Sequence, residues 1–495
     1  MDQSVVRALS AGVNQSGVRN HNERLLLTIL QRHGPLPGTD LARIAGLSPQ
    51  TVSVILRKLE NDGLLERGSP VRGKVGKPSV PMGLAADGVM SLGLKIGRRS
   101  ADLLLIDFHG TIRQQLQITY AYPLPRTVFM FLADGIAKFR AKMRPELFDR
   151  LCGIGVAAPF EIWHWAELVG APAEEFQRWS NIDIAAEVAS CTDLPVSLVN
   201  DATAGCWAEH VYGRGKEFRD YAYFFVGAFV GGGIVLNNSV YEGQQGNAGA
   251  LGSLRSIGPQ GESLQLIDTA SIHLLETMLT KEGRPVADLW VQPQDWTAFT
   301  ALVDAWIAQT ALELAKASLS TCAVIDFEAI VIDGAFPADV RTKLVAQIRM
   351  EVDRQDTRGL KVPRIEEGTV GENARAIGAA SGPIFQHFLL NTNTGHQRRT
   401  TDLAAQFAGV FASLPSQMTP DQAAQQGTKH HTADRSGAKT DRVARRGHDI
   451  QQGFPNRGSK CVRDDDAAVE PVRRDPLREP PARDDRDPDN RAPKD

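Results

Sequence analysis

The sequence predicts an α/β protein whose main folded region follows a small helical module and precedes an unstructured tail. Three observations carry this prediction. From Met90 to about Leu390, apolar strand-like runs alternate with amphipathic helix-like runs, the pattern of helices packed on a sheet. Between His21 and Leu84 lie short helical patterns that end in a basic, glycine-punctuated stretch. After Leu390 the periodicity fades into charge runs such as Asp464-Asp465-Asp466 among prolines, which cannot bury a core. The expected organisation is a flexible segment 1–20, a first module 21–84, a main region 88–390 and a mostly disordered tail 391–495. Within the tail, only Leu403 to Leu414 keeps a helical spacing.

Composition narrows the class. The chain has 495 residues, 42% hydrophobic and 23% charged, which excludes a fibrous or wholly disordered protein. No run reaches the ~18 apolar residues of a membrane span. Met1 to Asn20 lack the apolar core of a secretory leader. The five cysteines are scattered without a C-x-x-C, which fits a reducing compartment and offers no zinc cage. The expectation is a cytoplasmic protein with no membrane partner.

The first module reads element by element. Leu25, Leu26, Ile29 and Leu30 repeat at helical spacing and predict a helix over Asn22–Arg32. A second helix follows over Thr39–Ala45, then the turn Gly46-Leu47-Ser48. Ser48 is a good N-cap and Pro49 suits the first helical position, so a third helix runs over Pro49–Asn61. Val52, Ile55, Leu56 and Leu59 share its inner face. Gln50, Ser53, Val54 and Arg57 therefore point outward, with Thr51 and Lys58 on the flank. Strand-like Gly63–Arg67, a loop tip at 73–78 and a returning edge strand at Ser79–Met82 complete a winged helix-turn-helix. Arg67, Arg72, Lys74 and Lys77 place positive charge where a wing meets a phosphate backbone. Duplex DNA is the expected partner. The alternative is a small helical interaction module with a solvated basic loop.

The main region opens with a hairpin, Ser91–Gly97 and Ala101–Asp107. Further along stand Cys152-Gly-Ile-Gly-Val-Ala157, Pro195 to Ala202, Tyr221 to Ile234, Gly246-Asn-Ala-Gly-Ala-Leu-Gly-Ser253, Ala329-Ile-Val-Ile-Asp-Gly334 and Ala376-Ile-Gly-Ala-Ala380. In these ordered motifs, over roughly His21 to Phe388, the chain resembles the ROK family of sugar kinases and sugar-responsive repressors. The winged helix in front matches the repressor branch. That branch often has an arginine where Val54 stands, so base readout here is expected to use a thymine methyl contact instead. The resemblance implies a duplicated actin/hexokinase-like (ribonuclease H-like) fold, with two lobes closing on a cleft.

The resemblance also locates departures. The acidic position of the first phosphate loop carries Lys95, with Arg98-Arg99 in the turn, and Gly227-Ala228-Phe229 replaces a Gly-Thr-Gly. Phosphoryl transfer needs a carboxylate near Mg²⁺ and small residues around the phosphates. Lys95 has the wrong charge and Phe229 too much bulk, so ATP chemistry is expected to be lost. Asn200-Asp201 match the sugar-side motif, while Ala250 and Ser253 replace its Glu and His. The cysteine-bearing zinc segment is replaced by Gly258 to Ser263, so no metal and no cofactor are expected. Asn200, Asp201, Asn247 and Gln265 are the expected ligand contacts. The bland alternatives are an N-cap role for Asp201, turn roles for Asn200 and Asn247, and a solvated helix face for Gln265. His164 between Trp163 and Trp165 stays unassigned.

The function expected is a DNA-binding regulator, a repressor of carbohydrate uptake or catabolism genes. A sugar-like effector would close the lobes of a homodimer or higher homo-oligomer and respace its two winged helices. The competing expectations are an active sugar kinase with an accessory DNA-binding module and a ligand-independent repressor.

Overall fold

The computed structural model describes residues 15–70, 79–159, 162–166, 171–258 and 260–390, all within one compact unit. The expected tail helix at 403–414 and the rest of 391–495 lie outside the described residues.

The front of the chain is α1 (Gln15–His33), β1 (Leu36–Pro37), α2 (Gly38–Ala45), α3 (Pro49–Asn61), β2 (Leu65–Arg67) and β3 (Pro81–Leu84). Leu26, Ile29, Leu30, Val52, Ile55, Leu56 and Leu59 are buried together as the spacing predicted, whereas Leu25 is half-buried and Leu27, outside the predicted set, is buried with them. Two readings need correction. α1 begins at Gln15, inside the stretch expected to be flexible, because a helix already anchored by packing extends cheaply at one hydrogen bond per residue. β3 is the centre of its small sheet and not an edge, because the two-residue strand β1 pairs with it opposite β2. A strand that short carries no readable alternation.

The main region contains two five-stranded sheets of the same topology. The first uses β4 (Met90–Ile96), β5 (Ser100–Asp107), β6 (Ile112–Thr119), β7 (Leu151–Ala158) and β8 (Val196–Asn200), in the order β6-β5-β4-β7-β8. The second uses β9 (Tyr221–Val226), β10 (Val230–Leu236), β11 (Ser239–Tyr241), β14 (Ala329–Gly334) and β15 (Arg364–Glu367), in the order β11-β10-β9-β14-β15. A short hairpin, β12 (Arg255–Ile257) with β13 (Ser263–Gln265), lies between β11 and β14 in sequence. In both large sheets three antiparallel strands lead to two parallel ones. This is the duplicated fold that the resemblance implied. β4, β5, β9 and β14 are buried along their whole length, which explains their continuous apolar runs; β6 alternates because one of its faces is wet.

The helices that matter for the site are α4 (Pro125–Lys142), α5 (Ile184–Cys191), α6 (Asp201–Tyr212), α7 (Ile272–Lys281), α8 (Thr300–Val324), α9 (Ala338–Asp353) and α10 (Ala374–Phe388). α10 wedges between β7 and α6. A Cβ on Gly378 would lie 1.7 Å from the Ala204 carbonyl oxygen, and one on Gly155 would lie 1.8 Å from that of Ala379. The small residues Ala376-Ile-Gly-Ala-Ala380 are therefore a packing requirement. They hold the N-terminal ends of α6 and α10 side by side.

Candidate DNA interface and effector cleft

α2 ends on Gly46 in the left-handed region (φ 64°), a conformation that costs a glycine little, and its N–H returns to the Ala42 carbonyl. Ser48 then caps α3, its hydroxyl accepting the Thr51 N–H at 3.1 Å. This tight turn aims α3 outward. Gln50, Thr51, Ser53, Val54 and Arg57 are exposed along one side of α3, opposite its buried face. Val54 is 56% exposed, an apolar side chain left in water beside polar neighbours. Such a group gains by covering a thymine methyl in a major groove.

The basic residues divide. Arg57 is exposed, whereas Lys58 is half-buried and its ammonium lies 2.6 and 2.7 Å from the two carboxylate oxygens of Glu23 on α1. Lys58 therefore fastens α3 to α1. Arg67 is held by Glu60 at 2.5 and 2.9 Å. Arg72, Lys74 and Lys77 lie outside the described residues.

The cleft is built by the turns of the two sheets and the starts of α6, α7 and α10. Lys95 on β4 sits directly opposite Asp102 on β5, and the antiparallel register makes them cross-strand partners at 2.8 Å. Both are buried, and Lys95 also donates to the Ser100 hydroxyl at 2.7 Å. Burial pulls the Lys95 ammonium below its usual range, and the Asp102 charge works against that pull.

Asp201 opens α6, but it does not cap it. The Asn200 side-chain oxygen accepts the Ala202 and Thr203 N–H groups at 3.1 and 3.2 Å. Asn200 is therefore the cap, and its oxygen is engaged by the helix. Asp201, the first helical residue, accepts from the Arg375 guanidinium at 2.9 Å. Arg375 in turn lies 4.6 Å above the Phe225 ring. Asn247 is exposed in the loop after β11. Gln265 is half-buried, and its backbone N–H donates to Asp268 at 2.9 Å at the start of a one-turn helix. The structure thus joins Asp201 to Arg375 and uses Asn200 as the helix cap. Trp163 lies in a 3-10 turn over Ile162–Trp165, while the side chains of His164 and Trp165 lie outside the described residues.

The two turns expected to be eroded phosphate loops face each other. The Arg98 guanidinium stacks 4.7 Å over the Phe229 ring, and both Arg98 and Arg99 reach Glu276 on α7. Arg99 grips that carboxylate with two bonds, at 2.9 and 3.1 Å, and the Trp290 indole donates to it at 2.9 Å. Burial alone would push the Glu276 carboxyl up, but hydrogen bonds from His273 and Arg99 and the Arg98 and Arg99 charges hold it at about 2. Burial lowers Arg98 to about 10 despite Glu276. Among the described residues no three His, Cys, Asp or Glu side chains gather as a metal cage.

Three of these residues escaped the sequence reading: Asp102, Glu276 and Arg375. Each is a lone charge within an apolar stretch, and that was the available signal. The partners of Glu276 and Arg375 lie up to 177 residues away, beyond any spacing argument, whereas Asp102 faces Lys95 across a single hairpin.

Comparison with known proteins agrees with this architecture. Residues 91–263 match the ROK family, and residues 19–66 match a winged helix-turn-helix DNA-binding model. The uncharacterized protein y4fQ of Sinorhizobium fredii is 26% identical over 74% of this chain and 91% of its own length. The xylose repressor of Bacillus subtilis is also 26% identical, over 49% of this chain and 62% of the repressor. The transcriptional dual regulator NagC of Escherichia coli is 23% identical over 50% of this chain and 59% of its own length. The chain therefore aligns with about six-tenths of these two regulators. A solved ROK family transcriptional regulator, a homolog of the E. coli MLC protein, superposes with a TM-score of 0.53 at 22% identity, covering 75% of this chain and 96% of that one. Residues 91–263 thus carry a ROK family domain, with a winged helix-turn-helix over residues 19–66 in front of it.

Proposed function

We propose that the protein is a DNA-binding transcriptional regulator, a repressor of carbohydrate uptake or catabolism genes, whose ROK domain senses a sugar or sugar derivative without phosphorylating it. The observation that carries this reading is the pairing inside the cleft. A phosphoryl-transfer site keeps a carboxylate for Mg²⁺ and aims cations at the nucleotide phosphates. Here Lys95 is spent on Asp102, Arg98 and Arg99 on Glu276, and Arg375 on Asp201. The outward face of α3 supports the other half of the reading, and relatives named for repression support both.

In this reading α3 lies in the major groove, with Gln50, Ser53, Val54 and Arg57 at base edges. Arg72, Lys74 and Lys77 meet phosphates, and Thr51 flanks them. Asp201 accepts a hydrogen bond from a sugar hydroxyl, with Asn247 and Gln265 at the rim. Two copies bind a two-fold operator from the cytoplasm. Among the described residues no helix is long and apolar enough to cross a membrane.

The test uses the full chain. A duplex is selected from a random-sequence library, and its release is followed across a sugar panel that includes D-xylose and N-acetylglucosamine. ATP turnover is measured with the same panel. Selective duplex binding released by one panel member, without ATP turnover, is the expected result. Sugar-dependent ATP turnover above that of Asp201→Ala would establish the kinase alternative.

A further inference from the structure

α6 and α10 start together at the cleft and end together on the DNA-reading module. Their N-termini are joined by the Asp201–Arg375 pair at 2.9 Å, and their middles touch where Gly378 meets Ala204. Farther along, Trp207 packs on Phe385 with ring centroids 5.1 Å apart, and Ser381 donates to the Tyr212 hydroxyl at 3.3 Å. At 1.5 Å per residue the two helices are rods of roughly 18 and 22 Å. Both far ends meet α1.

The contacts there are polar and specific. Arg24 donates to the Leu389 carbonyl at 2.9 Å and to the Phe385 carbonyl at 3.1 Å, which places a guanidinium on the C-terminal end of α10. The Thr28 hydroxyl accepts the Leu390 N–H at 2.9 Å. Gln31 donates to the Val211 carbonyl at the end of α6, and Arg32 to the Asn238 side chain. Beside these bonds lies a cavity of about 260 Å³ lined by Leu30, Gln31, Phe108 and Tyr212 among others, so the joint is bonded at points and not close-packed throughout. The residue before Arg24 is Glu23, which holds Lys58 of α3. Adjacent residues of α1 thus grip the far end of the rods and the DNA-reading helix.

We infer that Arg24 is the positioning residue through which the state of the Asp201–Arg375 pair reaches α3, with α6 and α10 moving as one pair of rods between them. This deepens the proposed regulator and rests on that reading. A ligand that draws Asp201 away from Arg375 frees the start of α10. The Gly378 contact is too tight to absorb a shift, so displacement passes along the helix to Leu389 and into Arg24. Through Glu23 and Lys58 it then alters the pose of α3.

The experiment needs neither effector nor operator. Full-length parent, Arg375→Ala, Arg24→Ala and the double variant are compared by hydrogen–deuterium exchange and mass spectrometry. Arg375→Ala is expected to raise exchange about fivefold or more in peptides from 20–33 and 49–61, although the substituted residue lies on the far side of the rods. With Arg24→Ala already present, adding Arg375→Ala leaves 49–61 unchanged relative to Arg24→Ala alone. Arg24→Lys, which keeps the charge at the carbonyls, restores part of the response.

Changes confined to 200–212 and 374–390 with Arg24 intact would overturn the inference, and so would additive effects in the double variant. If Arg375→Ala does not fold, Asp201→Asn breaks the same pair while Asn200 keeps α6 capped, and the same criteria apply. A parent that selects no duplex would sink the regulator reading and leave the exchange result standing, so the two failures are distinct.

Discussion

Replacing Glu276 with glutamine removes the anion from a buried cluster of two guanidiniums. The size of the effect follows from the carboxyl itself, held at about 2 against an ordinary 4.5. At ~1.36 kcal/mol per pH unit, that gap corresponds to about 3 kcal/mol of folding free energy at neutral pH. A carboxyl depressed in the folded state stabilises above its unfolded value and loses that contribution as pH falls through its folded value. The contribution is thus whole above pH 4.5 and fades toward pH 2. Urea denaturation of parent and Glu276→Gln, followed by tryptophan fluorescence, measures it, with Trp290 bonded directly to the altered carboxylate. The free-energy gap is expected near 3 kcal/mol at pH 7, closing progressively below pH 4.5. A gap that is absent at pH 7, or that stays constant down to pH 3, would refute the claim that Glu276 is the charge partner of Arg98 and Arg99.

Arg57→Ala should cost about 1–3 kcal/mol at one base position of a selected duplex, read by competition gel shift across single-base variants. Lys58→Ala should instead lower the melting temperature and leave the salt slope of binding unchanged, because Lys58 is held by Glu23; a slope reduced by about one would place it on a phosphate. Asp201→Asn breaks the pair to Arg375 and should lose the response to the inducing sugar, with duplex binding already weakened in the sugar's absence. It should also lower stability by about 1–3 kcal/mol, since buried Arg375 loses its partner; an unchanged response would move the ligand site to Asn247 and Gln265. His210 is depressed to about 4, first by burial and then by Arg32, against its hydrogen bond to the Asn238 carbonyl. Its stabilisation is whole above pH 6.5 and is lost toward pH 4, so His210→Gln should flatten the acid limb of the stability curve in that window.

How much was legible depended on range. The winged helix was read nearly residue by residue, since a cap, a proline, a left-handed glycine and an apolar face are local signals. The small errors there, the start of α1 and the centrality of β3, came from packing and from a two-residue strand. The buried strands were legible as apolar runs, whereas their duplication was legible only through the family resemblance, because the two sheets share connectivity and not sequence. In the cleft, the roles of Asn200 and Asp201 depended on which side chain turned back to the helix, and a one-residue difference reversed them. Lys95 was recognised as the wrong charge for a metal site, but its partner was not, although Asp102 stands opposite it across the very hairpin that was read.

That pairing connects the substitutions into one argument. A cleft that handles a nucleotide aims cations at the phosphates, which supply compensating charge when they arrive. In a chain that has replaced an acidic loop residue by Lys95 and gained Arg98 and Arg99 in the turn, those cations would be buried without partners, at a cost of several kcal/mol each. Asp102, Glu276 and Asp201 meet this demand from inside the protein, each at 2.8 to 3.4 Å from its cation. Two of the pairs tie distant parts of the chain together, β4–β5 turn to α7 and α6 to α10, so the charges that could have held phosphates now hold lobes and helices. In the regulator reading proposed above, a neutral polyol enters this cleft by trading hydrogen bonds with Asp201, and the Asp201–Arg375 bond is the one it loosens. On that reading, the residues that argue against phosphoryl transfer also give a neutral ligand its leverage on α10.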